Sequence, residues 1–117
     1  MKRLFIASLI FVSTFTTGVY AEIKMGIILG FTGPIESLTP AMAASAELAF
    51  KEASDSGSLL NGETITVIRA DSTCNDPDAA IAAAEGVIAQ GVTAILGAVC
   101  SEATETILSE SALPNRV

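Results

Sequence analysis

The run IKMGIILG, Ile23–Gly30, decides the architecture. It is apolar, β-branched and stopped by glycine, which reads as a strand covered on both faces, as in a parallel sheet. The loop FTGPIES follows it, and TPAMAASAELAFKEASDSG then takes up a helical period. Met42, Ala46, Ala49, Phe50 and Ala53 share one stripe, while Glu47, Lys51 and Glu52 fall mainly on the other side. Thr39 and Pro40 supply an N-cap and a first helical residue, and Gly57 a stop. In SLLNGETITVIRAD, the Asn61-Gly62 pair predicts a tight turn from a very short strand into a longer one, Thr64 to Ala70. A second helix begins within DSTCNDPDAAIAAAEGVIAQG, with Asp76 as its cap, Pro77 opening it and Asp78 favourably placed in its first turn. Ile81, Ala84, Val87 and Ile88 form its buried stripe, and Gly91 ends it. VTAILGAV is a third strand, and SEATETILSESAL a third helix with Ser101 as cap and Glu102 and Glu105 near its positive end.

The order β-α-β-α-β-α places the chain in the α/β class: a three-layer, parallel, doubly wound sheet with right-handed crossovers. The sequence reaches LPNRV where a fourth strand is due. Three parallel strands leave an uncovered edge and a thin core. The expectation is therefore the front piece of a larger protein.

The first 21 residues read as a secretory signal peptide. Lys2 and Arg3 precede the apolar run Leu4 to Val12, and Val19-Tyr20-Ala21 puts small residues where a signal peptidase reads. The apolar part is shorter than the roughly 20 residues of a membrane span. Cleavage is expected after Ala21, and the next residue, Glu22, offers no lipid acceptor, so no direct membrane insertion follows removal of the leader. Without residues 1–21, four basic and thirteen acidic residues remain, a net charge of −9. Such a surface argues against a nucleic-acid partner, whose phosphates require Lys and Arg.

Ligands of open α/β sheets bind outside the carboxyl ends of the strands. Here the loops at that edge are Phe31 to Leu38, Ser72 to Asp76, and Cys100 to Ser101. Gly30, Gly33 and Pro34 match neither GxGxxG nor a P-loop and read first as a turn. Ser37 offers an exposed hydroxyl. Cys74 and Cys100 both lie just past strand ends, and export favours a disulfide between them. Closing a loop of about 27 residues would stabilise the fold by about 3.5 kcal/mol. Two buried thiols, or a nucleophilic Cys100 at a helix N-terminus, are the alternatives, although the chain has no histidine to serve as base. Asp76 and Asp78 are explained by capping, which leaves Asp71 as the acidic site candidate; no metal and no cofactor is expected. Ser101 has the position of a cap or of an anion binder.

Three motifs in order, the strand followed by Thr32-Gly33-Pro34, then Asp71-x-x-Cys74-x-Asp76-Pro77, then Gly97-x-x-Cys100-Ser101, resemble the periplasmic branched-chain amino-acid (Leu/Ile/Val-type) binding proteins of ABC importers. The likeness runs from about Ile23 to Pro114. It implies a type 1 periplasmic binding protein, of which residues 22–117 form the N-terminal part of the first lobe. Such a protein has two lobes closing on an amino acid by hinge motion, carries out no catalysis, and works as a monomer that delivers its ligand to importer membrane subunits. It also implies a Cys74–Cys100 disulfide and a ligand carboxylate bound by Ser101 with help from the backbone around Cys100. The loop Gly33, Ser37 and Leu38 would lie over the ligand. The family often has tyrosine where this sequence has Leu38. A further ligand segment, the hinge and the second lobe are expected beyond Val117, so the 117-residue chain alone is expected to lack one wall of the cleft. The competing readings are a ligand-sensing receptor domain of the same fold and an exported enzyme using Cys100.

Overall fold

The computed structural model describes residues 22–59 and 62–117. The expected leader and Asn61 lie outside them. Three strands form one parallel sheet in the order β2-β1-β3. β1 (Glu22–Leu29) pairs along its whole length with β2 (Thr64–Asp71), from Glu22 opposite Thr64 to Leu29 opposite Asp71. β3 (Ala94–Gly97) pairs with only four residues of β1, Met25 to Ile28. β1 is thus the central strand, and its apolar run is buried as the sequence requires: Ile27 and Ile28 are fully buried and Leu29 nearly so. Burying each of these side chains contributes roughly 1.5–3 kcal/mol.

Alternation along β1 divides the core between the two faces of the sheet. Ile27 and Leu29 pack with Ala43 of α1 (Thr39–Asp55), flanked by Phe31, Phe50 and Val67. Ile28 faces the other way, into a larger cluster with Ala80, Ala84 and Val87 of α2 (Pro77–Ala89) and Ala103 and Ile107 beyond β3. The helix after β3 begins as α3 (Ser101–Thr106), widens to a π-helical segment Ile107–Ala112 and ends in α4 (Leu113–Asn115). The three layers and the parallel order are those expected from the sequence.

Several local expectations change. The apolar pattern of β3 matches that of β1, yet Leu96, in register with Ile27, is exposed, because the helix on that face, α1, packs over β1 and β2. The buried stripe of α1 runs through Thr39, Ala43, Ala46 and Phe50; Met42 and Ala49 point outward. The shift follows from Thr39, which was expected to cap the helix. Leu38 flanks α1 without a side-chain cap, and the buried Thr39 hydroxyl instead donates to the Gly30 carbonyl at 2.9 Å, turning that face to the sheet. Ser58 and Leu59 form no strand. Gly57 and Gly91 take positive φ at the helix ends as expected, and Asp76 caps α2 by accepting from the Asp78 and Ala79 amides.

Side-chain ties fix α1 to β2. The Ser54 hydroxyl donates to the Phe50 carbonyl and accepts from the Ile65 amide at 2.9 Å, satisfying a backbone N–H of an edge strand. Glu47 meets Arg69 in a two-point ion pair, and the Arg69 guanidinium stands 5.6 Å from the centre of the Phe31 ring. The hydrogen bond from Arg69 holds the Glu47 carboxyl below its usual range.

Candidate functional site

The carboxyl edge of the sheet carries three loops, one after each strand, and the structure joins them into one rim. The first join is polar. Asp71, the last residue of β2, accepts through Oδ1 from the amides of Phe31 at 2.8 Å, Thr32 at 3.3 Å and Thr73 at 2.9 Å. Its Oδ2 accepts from the Thr32 hydroxyl at 2.6 Å. Burial pushes the Asp71 carboxyl up, but the Thr32 hydroxyl and the three amides together outweigh it and hold the group below its ordinary value.

The second join is steric. Gly33 has φ +98°, and a Cβ there would sit 2.5 Å from the Thr73 carbonyl oxygen, so only glycine lets the first loop lie on the second. At Gly30 the limit is space: a Cβ would stand 3.0 Å from Cys74 Sγ.

The third join is covalent. Cys74 and Cys100 form a disulfide with their Cα atoms 5.4 Å apart, tying the loop after β2 to the loop after β3 across the central strand. A bonded Cys100 offers no thiolate, which removes the nucleophile of the exported-enzyme alternative.

Ser101 is the first residue of α3, with Cys100 as its extended flanking residue (φ −88°, ψ 130°). The expected side-chain cap does not form. The Thr104 amide makes the first i to i−4 bond of the helix to the Cys100 carbonyl, and its hydroxyl proton is shared between the carbonyls of Cys100 and Ala98, which leaves the first-turn amides uncapped by any side chain. The exposed Ser101 hydroxyl therefore has no hydrogen-bond partner among the described residues. Ser37 and Leu38 lie at the far end of the first loop. Both are exposed, Leu38 by 60%, and the Leu38 amide donates to the Ile35 carbonyl. The structure thus brings Gly33, Cys74 and Cys100 into one clamped unit; no hydrogen bond among the described residues ties Ser37 or Leu38 to Ser101.

The sequence reading missed Asp71 as the organiser of this rim. The Asx-turn from Asp71 to the Thr73 amide was signalled by Asp-Ser-Thr at a strand end. The reach to Phe31 and Thr32, forty and thirty-nine residues away, carried no local signal.

A groove of about 230 Å3 lies beside β3, lined by Ala94, Ile95, Gly97, Ala98, Thr104, Ile107, Leu108, Ala112 and Val117. Its lining has one polar side chain, Thr104, whose hydroxyl is already engaged, and no charged side chain. No helix among the described residues is long and apolar enough to cross a membrane.

Solved structures share this fold. A possible leucine/isoleucine/valine-binding protein from Rhodopirellula baltica matches 84% of the chain at 21% identity, with a TM-score of 0.73. The branched-chain amino acid transporter substrate binding protein LivJ from Streptococcus pneumoniae, in complex with isoleucine, matches 83% at 24% identity and a TM-score of 0.72. An ABC transporter from Rhodopseudomonas palustris matches 80% at 28% identity and a TM-score of 0.69. The chain spans 26%, 27% and 28% of those three proteins, about a quarter of their length. A comparison with curated proteins finds no match. The periplasmic binding protein family matches residues 22–113, nearly all that follows the expected leader. The chain belongs to the periplasmic binding protein family.

Proposed function

We propose that residues 22–117 form part of the first lobe of a substrate-binding protein serving an ABC importer, and that it holds an amino acid of branched-chain type, or a related small polar solute, against a second lobe. The carrying observation is the clamped rim with the unpartnered Ser101 hydroxyl at one end of it. A carboxylate laid there meets a hydroxyl donor and the free amides of the first helical turn, which carry partial positive charge. The backbone at Cys100, held by the disulfide, fixes where that turn starts. Gly33 and Ser37 border the same edge, and the exposed Leu38 supplies apolar surface for the ligand's side chain. The isoleucine named with the Streptococcus pneumoniae protein and the family membership support this class of ligand. Residues 1–21 serve as the leader, cut after Ala21, which delivers the protein to the periplasm. It works there as a monomer, without cofactor, and passes its ligand to membrane subunits.

Calorimetry on the full-length protein with leucine, isoleucine, valine and polar amino acids tests the reading. Ser101→Ala is expected to weaken binding about tenfold, the scale of a lost hydrogen bond to a charged group. Because Ser101 makes no cap bond, the melting temperature stays unchanged. Absence of binding to every amino acid tried would refute the proposal.

A further inference from the structure

Asp71 makes four hydrogen bonds, more than any other side chain among the described residues. An ionised carboxylate has roughly four lone-pair sites, and here four donors from two loops engage it. Three of these donors crowd Oδ1, and Oδ2 accepts from the Thr32 hydroxyl, so the carboxylate is spent mainly on holding the two loops together. No cation is paired with it among the described residues; the nearby Arg69 is paired with Glu47. Its charge is balanced by N–H and O–H dipoles belonging to the chain segments it holds.

Those segments control the first loop. Asp71 stands opposite Leu29 in the last register position of the β1–β2 pairing, so it grips the chain where it leaves β1. The far end of the loop is closed on the near end by the Thr39 hydroxyl, which donates to the Gly30 carbonyl at 2.9 Å. Between the two anchors the backbone hydrogen bonds are local turns, Glu36 amide to Gly33 carbonyl at 3.3 Å and Leu38 amide to Ile35 carbonyl at 2.9 Å, and Gly33 lies against the Thr73 carbonyl. The course of Gly33, Ser37 and Leu38 thus depends on where Phe31 and Thr32 are held.

We propose that Asp71 is the positioning residue of the ligand edge: it sets affinity by fixing the path of the loop Phe31–Leu38 against the loop Ser72–Asp76. The assignment rests on the amino-acid-binding reading for its effect on affinity. Its effect on loop order stands apart from that reading.

The test uses the full-length protein with Asp71→Ala, Asp71→Asn and Thr32→Val, read by leucine calorimetry, amide hydrogen exchange and thermal unfolding. Asparagine is close to isosteric. Its carbonyl oxygen can accept the three amides now on Oδ1, and its NH2 can donate to Thr32 Oγ1, reversing that bond. The expected result is that D71A exposes the Thr32 and Thr73 amides to exchange, while the Phe31 amide keeps the Leu29 carbonyl at 3.0 Å, and that it weakens leucine binding about tenfold or more. D71N restores most of both, and T32V, which keeps the carboxylate and every backbone donor, weakens binding less than D71A. T32V and D71N also carry the test if D71A does not fold: T32V must then weaken binding, with D71N close to the parent protein. A D71A protein that melts at lower temperature but keeps leucine affinity would overturn the proposal, leaving Asp71 a stabilising residue only. Unchanged protection of the Thr32 and Thr73 amides in D71A would overturn it as well. Should the parent protein bind no amino acid while D71A still loses amide protection, the loop-ordering role holds and the amino-acid reading fails.

Discussion

The two seams beside the central strand are built on different principles. Between β1 and β2, eight register positions of backbone pairing lead directly into the Asp71 network, so the loop ends are joined by hydrogen bonds and the close approach at Gly33, with no covalent tie between them. Between β1 and β3 the pairing lasts four positions, and β3 carries an exposed leucine on the free edge of the sheet. On that side the chain is held by a close backbone approach at Gly97 and by a covalent bond running past β1 to Cys74. Where pairing is long, a carboxylate suffices to order the following loop. Where it is short, a covalent tie limits how far the strand end can open.

The largest expected effect comes from cutting that tie. Replacing Cys74 and Cys100 together by alanine should lower stability by about 3.5 kcal/mol, measured by urea unfolding. Hydrogen exchange should show β3 and α3 opening first while the Phe31, Thr32 and Thr73 amides stay protected. Uniform loss of protection would mean that the seams are not independent. Gly97→Ala attacks the same seam from the backbone side. Gly97 has φ +134°, and a Cβ there would overlap the Ile28 carbonyl, so a loss of about 2–3 kcal/mol is expected by the same measurement. A near-neutral result would show that β3 can shift away from β1 at little cost.

Acid probes the other seam. The folded-state pKa of Asp71 lies below its unfolded value of about 3.9, so its ionised form stabilises the fold fully above that pH. The contribution is lost as pH falls through the lowered folded value. Amide protection at Thr32 and Thr73 should therefore weaken below about pH 4 in the parent protein, and Asp71→Asn should flatten this dependence. The smallest effect belongs to a residue outside both seams: Asp76→Ala removes the cap of α2 and should cost about 1 kcal/mol in thermal or urea unfolding. If it also altered leucine binding, the cap would have to be counted as part of the rim.

The division between legible and hidden features follows sequence distance. Ile23–Gly30 announced a strand covered on both faces because such burial shows in composition alone. Asp76-Pro77 announced the start of α2 because capping acts within three residues. The same local rules misplaced two hydroxyls. Thr39 and Ser101 sit where caps belong, but Thr39 bonds Gly30 across the first loop, and α3 starts with no side-chain cap at all. β3 looked like β1 because nothing in an apolar tetrapeptide states whether a helix covers it.

Local pattern and element order specify the parallel α/β order, a first strand covered on both faces, and two cysteines brought to one edge by their positions after strand ends. All three depend on composition, period or element order. Tertiary structure decided which strand lies in the middle of the order β2-β1-β3, which face α1 presents, and that Asp71 serves the first loop across forty residues. The physical reason is that a carboxylate finds its donors in space. The segments that supply them come together only once the β1–β2 register is set.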